Sequence, residues 1–283
     1  MNSLTRIVPC LFLLVLIGAS VASAQKMKPE ELIAKHLDSI GTAEARAATK
    51  SQIAVGDAVV TFISTKNVPA KGRIVMASSG PKNFYGLSLN ATDYPGEKFS
   101  FDGSKTKVAK LMNGQRSYFG IFVDGNEFVL RDSLLGGTLA SSWALRDIAS
   151  KSIKLSVSGP KKMDGKEYYV LTYTPKKGSD VEITLFFEKD TYRHARTEYK
   201  RTSSAGIGIR PEQSSGFDET RLKITEIFDD YRPEGSLTLP HSYKLVYTES
   251  GQRGTREVEW AYIMNEFAFN QEMDEKTFDV TGN

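Results

Sequence analysis

The segment VEITLFFEK, residues 181–189, decides the fold class of this chain. Its polar and apolar side chains alternate with a period of two, and one face carries only apolar residues, namely Val181, Ile183, Leu185 and Phe187. Such alternation is typical of a β-strand that buries one face and exposes the other. Similar segments recur from residue 51 to residue 263, each bounded by turn residues. The pattern predicts a sheet of about eleven or twelve strands.

Short turns separate the predicted strands. Asp164-Gly165 lies between two alternating segments and indicates a tight hairpin, and Asp102-Gly103 suggests a second one. No helices alternate with the strands, which argues against a parallel sheet. We therefore expect an α+β fold built on a large antiparallel meander.

The N-terminal residues have the pattern of a secretory signal peptide. Arg6 precedes the apolar run LFLLVLI, residues 11–17, and Ala22-Ser23-Ala24 forms a small-residue cleavage site. The prediction is a signal peptide over residues 1–24 and a single domain over residues 25–283. An uncleaved anchor helix is the alternative, although a spanning helix needs roughly 20 apolar residues.

A helix is predicted directly after this leader. In KPEELIAKHLDSI, residues 28–40, Pro29 and two glutamates open the segment and four apolar residues recur at helical spacing. A second short helix is expected over residues 43–48. His36 lies in the first helix, and we expect its side chain at the protein surface.

The composition argues against several functional classes. The chain has 37 basic and 34 acidic residues and a formal net charge of +3, without a basic run interleaved with aromatic residues, so nucleic acid is not an expected partner. Cys10 is the single cysteine and lies in the predicted leader, and an exported chain without disulfides fits a bacterial periplasm. Metal-type histidine spacing, a nucleophile elbow and a phosphate loop are all missing from the sequence. We expect no metal, no cofactor and no enzymatic activity.

Residues 133–145, SLLGGTLASSWAL, contain no charged side chain. Thirteen residues are too few to cross a bilayer as a helix. On a helix, Leu135, Leu139 and Trp143 would share one face, and the two glycines between them would cost up to about 2 kcal/mol of helix propensity. The sequence favours either a close backbone approach or a break in the helix. Two interpretations remain: a core helix that fills the sheet, and a plug that leaves room for a hydrophobic guest.

Three stretches of the chain resemble the outer-membrane lipoprotein-sorting proteins, the LolA-like group. They are ELIAKHLDSIGTAEARAATKS (residues 31–51), FDDYRPEGSLTLPHSYKLVY (residues 228–247) and EFAFNQEMDEKTFDV (residues 266–280). The last is similar to the end of the family's domain, through Asn270, Met273, Asp274 and Phe278. The resemblance implies a strongly curved antiparallel sheet, an incomplete β-barrel, with helices packed on its concave side. It also implies a cavity that accepts acyl chains in the periplasm.

These observations predict a periplasmic carrier that holds a lipid or the acyl chain of a lipoprotein, with at most peripheral membrane contact. The alternative is a non-catalytic interaction or stress-sensing module of the cell envelope, with a filled core and an envelope protein as partner. The Ser- and Gly-rich residues 202–216 are expected to form a solvated loop or a flap over a cavity mouth. The candidate ligand-binding residues are Val60, Phe62, Leu87, Leu89, Phe99, Phe101, Leu135, Leu139, Trp143, Leu185 and Phe187.

Overall fold

The computed structural model describes residues 27–64, 68–109, 116–148, 153–175, 179–203, 219–252 and 254–280. The predicted signal peptide lies outside the described residues, as do residues 204–216 of the predicted loop. None of the helices in the described ranges has the length and apolar character needed to cross a membrane.

The described chain forms one antiparallel sheet of twelve strands, which confirms the predicted fold class. The strands are β1 (Ser51–Phe62), β2 (Ala70–Ser79), β3 (Lys82–Leu89), β4 (Gly96–Phe101), β5 (Thr106–Val108), β6 (Lys154–Met163), β7 (Lys166–Thr174), β8 (Glu182–Glu188), β9 (His194–Ser203), β10 (Thr220–Glu234), β11 (Leu237–Gly251) and β12 (Gly254–Phe269). Their order is β5-β4-β3-β2-β1-β12-β11-β10-β9-β8-β7-β6. Because β1 pairs with β12, the meander curves back on itself and stays open between β5 and β6.

The hairpin predicted at Asp164-Gly165 is confirmed. Both residues have positive φ, 51° and 83°, and they join β6 to β7. Two consecutive positive φ values give the type of turn whose twist matches that of the flanking strands. At the other predicted turn, the carboxylate of Asp102 accepts hydrogen bonds from the backbone N–H groups of Ser104 and Lys105. These bonds lower the pKa of Asp102 to about 2.

Two helices precede the sheet in the chain, and two more lie in the connection from β5 to β6. They are α1 (Pro29–Ile40), α2 (Ala43–Ala48), α3 (Tyr118–Gly125) and α4 (Phe128–Arg131), with short 3₁₀ helices at Gly137–Leu139 and Glu275–Phe278. The expectation that His36 lies at the surface is wrong, since its side chain is fully buried. Ile33, His36 and Ile40 share the helical spacing of the buried face of α1, so this position belongs to the apolar stripe.

Residues 117–146, which we call the plug segment, lie in the connection from β5 to β6 and fill the concave side of the sheet. Phe119 on α3 packs against Phe99 of β4 and Trp260 of β12. The single helix considered for residues 133–145 is wrong, because Gly136 and Gly137 have φ values of 77° and 52°. A left-handed backbone interrupts a right-handed helix, so these residues form turns and one 3₁₀ helix instead.

Candidate functional site

The structure gathers the predicted binding residues in the interior of the sheet. All of them except Phe62 are buried and belong to one core cluster. Phe62 is partly buried, packs against this cluster, and contacts Tyr94 with ring centroids 5.8 Å apart. The eleven residues therefore line or adjoin the same interior, and their role in binding stays a prediction.

Two groups of rings form within this interior. In the first, Phe99 meets Phe119 of the plug segment edge to face, with ring centroids 5.5 Å apart. In the second, Trp143 stacks on the imidazole of His194 at 4.9 Å, and Phe187 lies 5.4 Å from the same ring. The plug segment thus supplies an aromatic ring to each group and fills the space between opposite walls of the sheet.

A small cavity remains between the plug segment and the sheet. Its lining includes Asn83 from β3 and Leu135 and Leu139 from the plug segment. The cavity volume is about 10 Å³, which is room for about one water molecule. An acyl chain does not fit into this cavity unless the plug segment moves.

The plug segment is attached to the sheet through hydrogen bonds from strand side chains to its backbone. Because β5 and β6 are the edge strands of the described sheet, the plug segment joins no strand ladder. Five such bonds, between 2.7 and 3.2 Å long, join Glu97 to Ser117, Asn83 to Leu130, Glu226 to Gly136, Gln52 to Thr138 and Ser78 to Ser141. In a sixth, of 3.3 Å, the hydroxyl of Thr106 on β5 donates to the carbonyl oxygen of Glu127. A segment held in this way can leave without breaking any strand pairing.

Glu226 on β10 is one of these attachment points, and its side chain is fully buried. Its Oε1 accepts the N–H of Gly136 at 2.7 Å and the hydroxyl of Tyr243 at 2.8 Å. Its Oε2 accepts the hydroxyl of Tyr199 at 2.8 Å. Burial raises the pKa of Glu226 to about 7, although the three donors act in the opposite direction. The plug segment is therefore fastened to a carboxyl group that titrates near neutral pH.

Glu97 on β4 forms a second buried carboxyl site. Its Oε1 accepts the N–H of Ser117 at 3.0 Å, and its Oε2 accepts the hydroxyl of Tyr94 at 2.7 Å. The indole of Trp260 donates to the same hydroxyl at 3.1 Å. Burial raises the pKa of Glu97 as well. Both carboxyl groups thus bond a backbone amide of the plug segment inside the sheet.

His36 links the plug segment to α1. Its Nδ1 lies 3.0 Å from the carbonyl oxygen of Tyr192, and its Nε2 lies 3.1 Å from Nε1 of Trp143. A carbonyl can only accept and an indole N–H can only donate, so His36 carries its proton on Nδ1 and is neutral. Burial lowers the pKa of His36 to about 4.

His194 on β9 presents a free acceptor to the plug segment. Its Nε2 lies 3.1 Å from the carbonyl oxygen of Arg196, so this nitrogen carries the proton. Its buried Nδ1 has no hydrogen-bond partner among the described residues. A Cβ added to Gly137 would lie 2.9 Å from that atom. The backbone of Gly137 therefore lies directly against an unpartnered nitrogen.

The sequence prediction missed His36, His194, Glu97 and Glu226. A signal exists for the two carboxylates, because Glu97 precedes Phe99 and Glu226 precedes Phe228 by two positions. Each glutamate therefore lies on the apolar face of its strand, where an unpaired charge is costly. The residues that satisfy them are distant in the chain and could not be identified from the pattern. Among the described residues, no group of three or more metal-ligating side chains is present.

Comparison with known proteins gives likenesses at the level of structure. No protein-family model matches the chain, and no curated protein matches it. A LolA superfamily protein from Nitrosomonas europaea is 12% identical with a TM-score of 0.48, and the match covers 89% of this chain and 97% of that one. A putative outer membrane lipoprotein-sorting protein domain from Vibrio parahaemolyticus is 15% identical with a TM-score of 0.40, covering 87% and 97%.

A DUF1329 family protein from Desulfovibrio piger is 10% identical with a TM-score of 0.42, and the match covers 89% of this chain and 98% of that one. At these values the likenesses carry no functional argument, and we base the functional proposal on the residues of this chain. The group that the sequence motifs resemble is among these structural neighbours.

Proposed function

We propose that this protein is a non-catalytic carrier that holds the acyl chain of a lipid or a lipoprotein inside the curved sheet, in the space that the plug segment occupies. The observation that carries the proposal is the attachment of the plug segment, which is apolar toward the sheet and joins none of its strand ladders. Its departure leaves the sheet intact and uncovers an apolar wall that includes Val60, Leu185 and Phe187.

The energetics of exchange support this proposal. Each buried methylene contributes about 0.8 kcal/mol, so a long acyl chain gains roughly 10 kcal/mol on entering the interior. The side-chain hydrogen bonds that hold the plug segment contribute about 1 kcal/mol each. The plug segment also buries apolar side chains such as Leu139 and Trp143, so an acyl chain displaces only as much of the segment as its own burial offsets, and its release restores the closed state.

The leader-like residues 1–24 and the lack of cysteine beyond Cys10 support a periplasmic location. A carrier in this compartment takes its cargo from one envelope protein or membrane and delivers it to another. An acylated lipoprotein and an envelope protein are the partners that we propose.

A disulfide that ties the plug segment to the sheet tests the proposal. Oγ of Ser78 on β2 and Oγ of Ser141 in the plug segment are 2.9 Å apart, so cysteines at these positions are close enough to pair. We expect the oxidised Ser78→Cys/Ser141→Cys variant to lose binding of an uncharged pyrene-labelled acyl ester by at least about tenfold, and reduction to restore it.

The chain also offers a matched control. Oγ of Ser250 and Oγ1 of Thr255 are 3.1 Å apart across the β11–β12 hairpin and do not involve the plug segment. Oxidised Ser250→Cys/Thr255→Cys protein should bind the probe like the wild type. Equal binding by the oxidised and reduced plug-locked variant contradicts the proposal.

The small cavity supports a second candidate, an envelope interaction module with a permanently filled core. A cavity of only about 10 Å³ agrees with a core that its own side chains fill. Organic extraction of the purified protein followed by mass spectrometry separates the candidates. Lipid at near one-to-one stoichiometry supports the carrier, whereas absence of lipid together with no probe binding supports the module.

A further inference from the structure

The plug segment places two glycines, Gly136 and Gly137, against polar side chains of the sheet. Gly136 donates its N–H to Glu226, and Gly137 lies against Nδ1 of His194. We call the pair Glu226 and His194 the glycine seat. Both glycines have positive φ, and a Cβ on Gly136 would lie 2.0 Å from Cε of Met76. The positive φ disfavours a side chain at either position, and the site accommodates a small amide-bearing group.

The wall beneath the plug segment presents buried acceptors, two of which lack a donor in the described chain. The carboxylate of Glu226 and the bare Nδ1 of His194 are both acceptors, and both side chains are fully buried. Asn83 lines the adjacent cavity and donates through Nδ2 to the carbonyl oxygen of Leu130, which leaves its buried Oδ1 without a partner in the described chain. A buried acceptor without a donor costs about 1–3 kcal/mol, so this wall favours a guest that donates hydrogen bonds.

The same wall disfavours a negative charge. Its carboxyl group, that of Glu226, is fully buried, and no lysine or arginine is buried in the parts of the chain that the structure describes. An anionic end group would find no buried countercharge there and would lie close to the carboxylate of Glu226. A carrier for fatty-acid carboxylates or phosphates would need the opposite arrangement.

From this geometry we propose that the glycine seat is the end-group subsite of the carrier, and that it selects uncharged acyl ligands whose polar end donates hydrogen bonds, such as acyl amides. The inference rests on the proposed carrier function and adds the chemical class of its ligand. In the closed protein, the peptide group of Gly136 occupies the position that the amide of the ligand takes when the plug segment leaves.

Competition among three ligands of equal chain length tests the selection. Dodecanamide is uncharged and donates, methyl dodecanoate is uncharged and only accepts, and dodecanoate is anionic. Their displacement of the uncharged pyrene-labelled acyl ester is measured at about pH 8.5, where Glu226, whose pKa burial raises to about 7, is ionised. We expect dodecanamide to bind about tenfold more tightly than methyl dodecanoate, and dodecanoate to bind least tightly.

A substitution of Glu226 tests whether the glycine seat causes the preference among the three ligands. Glu226→Gln removes the charge and keeps an acceptor, so the disadvantage of dodecanoate relative to methyl dodecanoate should shrink to below about threefold. Glu266→Gln is the matched control, since Glu266 is an exposed outer-face residue paired with Arg73, and it should keep the wild-type ranking. The ranking in the wild type needs no variant, so the inference stays testable if Glu226→Gln does not fold.

The outcomes separate the inference from the function on which it rests. Equal displacement by all three ligands, or preference for dodecanoate, overturns the end-group subsite and leaves the carrier in place. Failure of the pyrene ester to bind, with no displacement by any ligand, overturns the carrier itself.

Discussion

The sheet and the plug segment satisfy their backbone polar groups in different ways. Each inner strand bonds two neighbours through regular ladders, so the sheet is stabilised by many equivalent interactions. The plug segment depends on single side chains, such as Glu226 at Gly136 and Gln52 at Thr138. Loss of one such side chain removes an attachment of the plug segment and leaves the strand ladders intact, which is the property expected of an element that can be displaced.

Removal of the indole of Trp143 should have the largest effect on stability. Its ring stacks on His194 and its Nε1 donates to His36, so Trp143→Ala removes a buried ring and a hydrogen bond together. We expect a loss of about 3–5 kcal/mol in the free energy of unfolding, measured by urea denaturation at neutral pH. Trp143→Phe keeps an aromatic ring and should lose less, and an Ala variant within about 1 kcal/mol of the wild type would contradict this packing.

Acid should weaken the contact between α1 and the plug segment. His36 has a pKa of about 4 in the folded protein, below its ordinary value of 6.5, so its contribution is present above about pH 6.5 and is lost as the pH falls toward 4. The loss amounts to about 3 kcal/mol. Urea denaturation between these pH values should show a steeper decline for the wild type than for His36→Gln, and parallel declines would reject the neutral histidine.

Glu226 should act in the opposite direction and with similar size. Its folded pKa of about 7 lies above its ordinary value of 4.5, so the folded state binds the extra proton and loses about 3 kcal/mol of relative stability as the pH rises from 4.5 through 7. Glu226→Gln should remove this alkaline decline. If the difference in unfolding free energy between wild type and variant is the same at pH 5 and pH 8, the carboxyl group is not buried as described.

The smallest effect is expected from a comparison of two glycines that both have positive φ but differ in their surroundings. Gly137 in the plug segment and Gly165 in the β6–β7 turn both have positive φ, but only Gly137 has neighbours within 4 Å of an added Cβ. Gly165→Ala should cost about 1 kcal/mol from backbone strain. Gly137→Ala should cost about 1–2 kcal/mol more, because its methyl group meets His194 and Phe228. Equal losses in thermal or urea unfolding would show that the plug segment is loosely packed at this point.

The strands could be predicted from sequence and the plug segment could not, because strand patterns are local and the contacts of the plug segment are distant in the chain. Alternation with a period of two identifies a strand locally, and a turn such as Asp164-Gly165 gives the direction of the next strand, so the number of strands and the meander could be predicted. The plug segment has no period. Its conformation depends on Gly136 and Gly137 and on partners such as Glu226, which lies 90 residues away in the chain. A helix was therefore the wrong expectation for residues 133–145.

The buried polar groups show a further limit of sequence analysis. Glu226 lies on the apolar face of its strand, which indicates burial, but its three donors come from the plug segment, β9 and β11. His36 lies on the apolar stripe of α1, although its partner Trp143 is 107 residues away. Position on a face could be predicted for both residues, and the identity of their partners could not.

Displacement of the plug segment by an acyl chain is open to observation by hydrogen exchange with mass spectrometry. With a saturating uncharged acyl ester, amides of residues 117–146 should exchange at least about tenfold faster than in the free protein, because the segment leaves the interior of the sheet and becomes exposed to solvent. Amides of β10, β11 and β12 should keep their rates. If amide hydrogen exchange in the plug segment stays unchanged or becomes slower while the ester is bound, the acyl chain does not displace the plug segment and the account is contradicted.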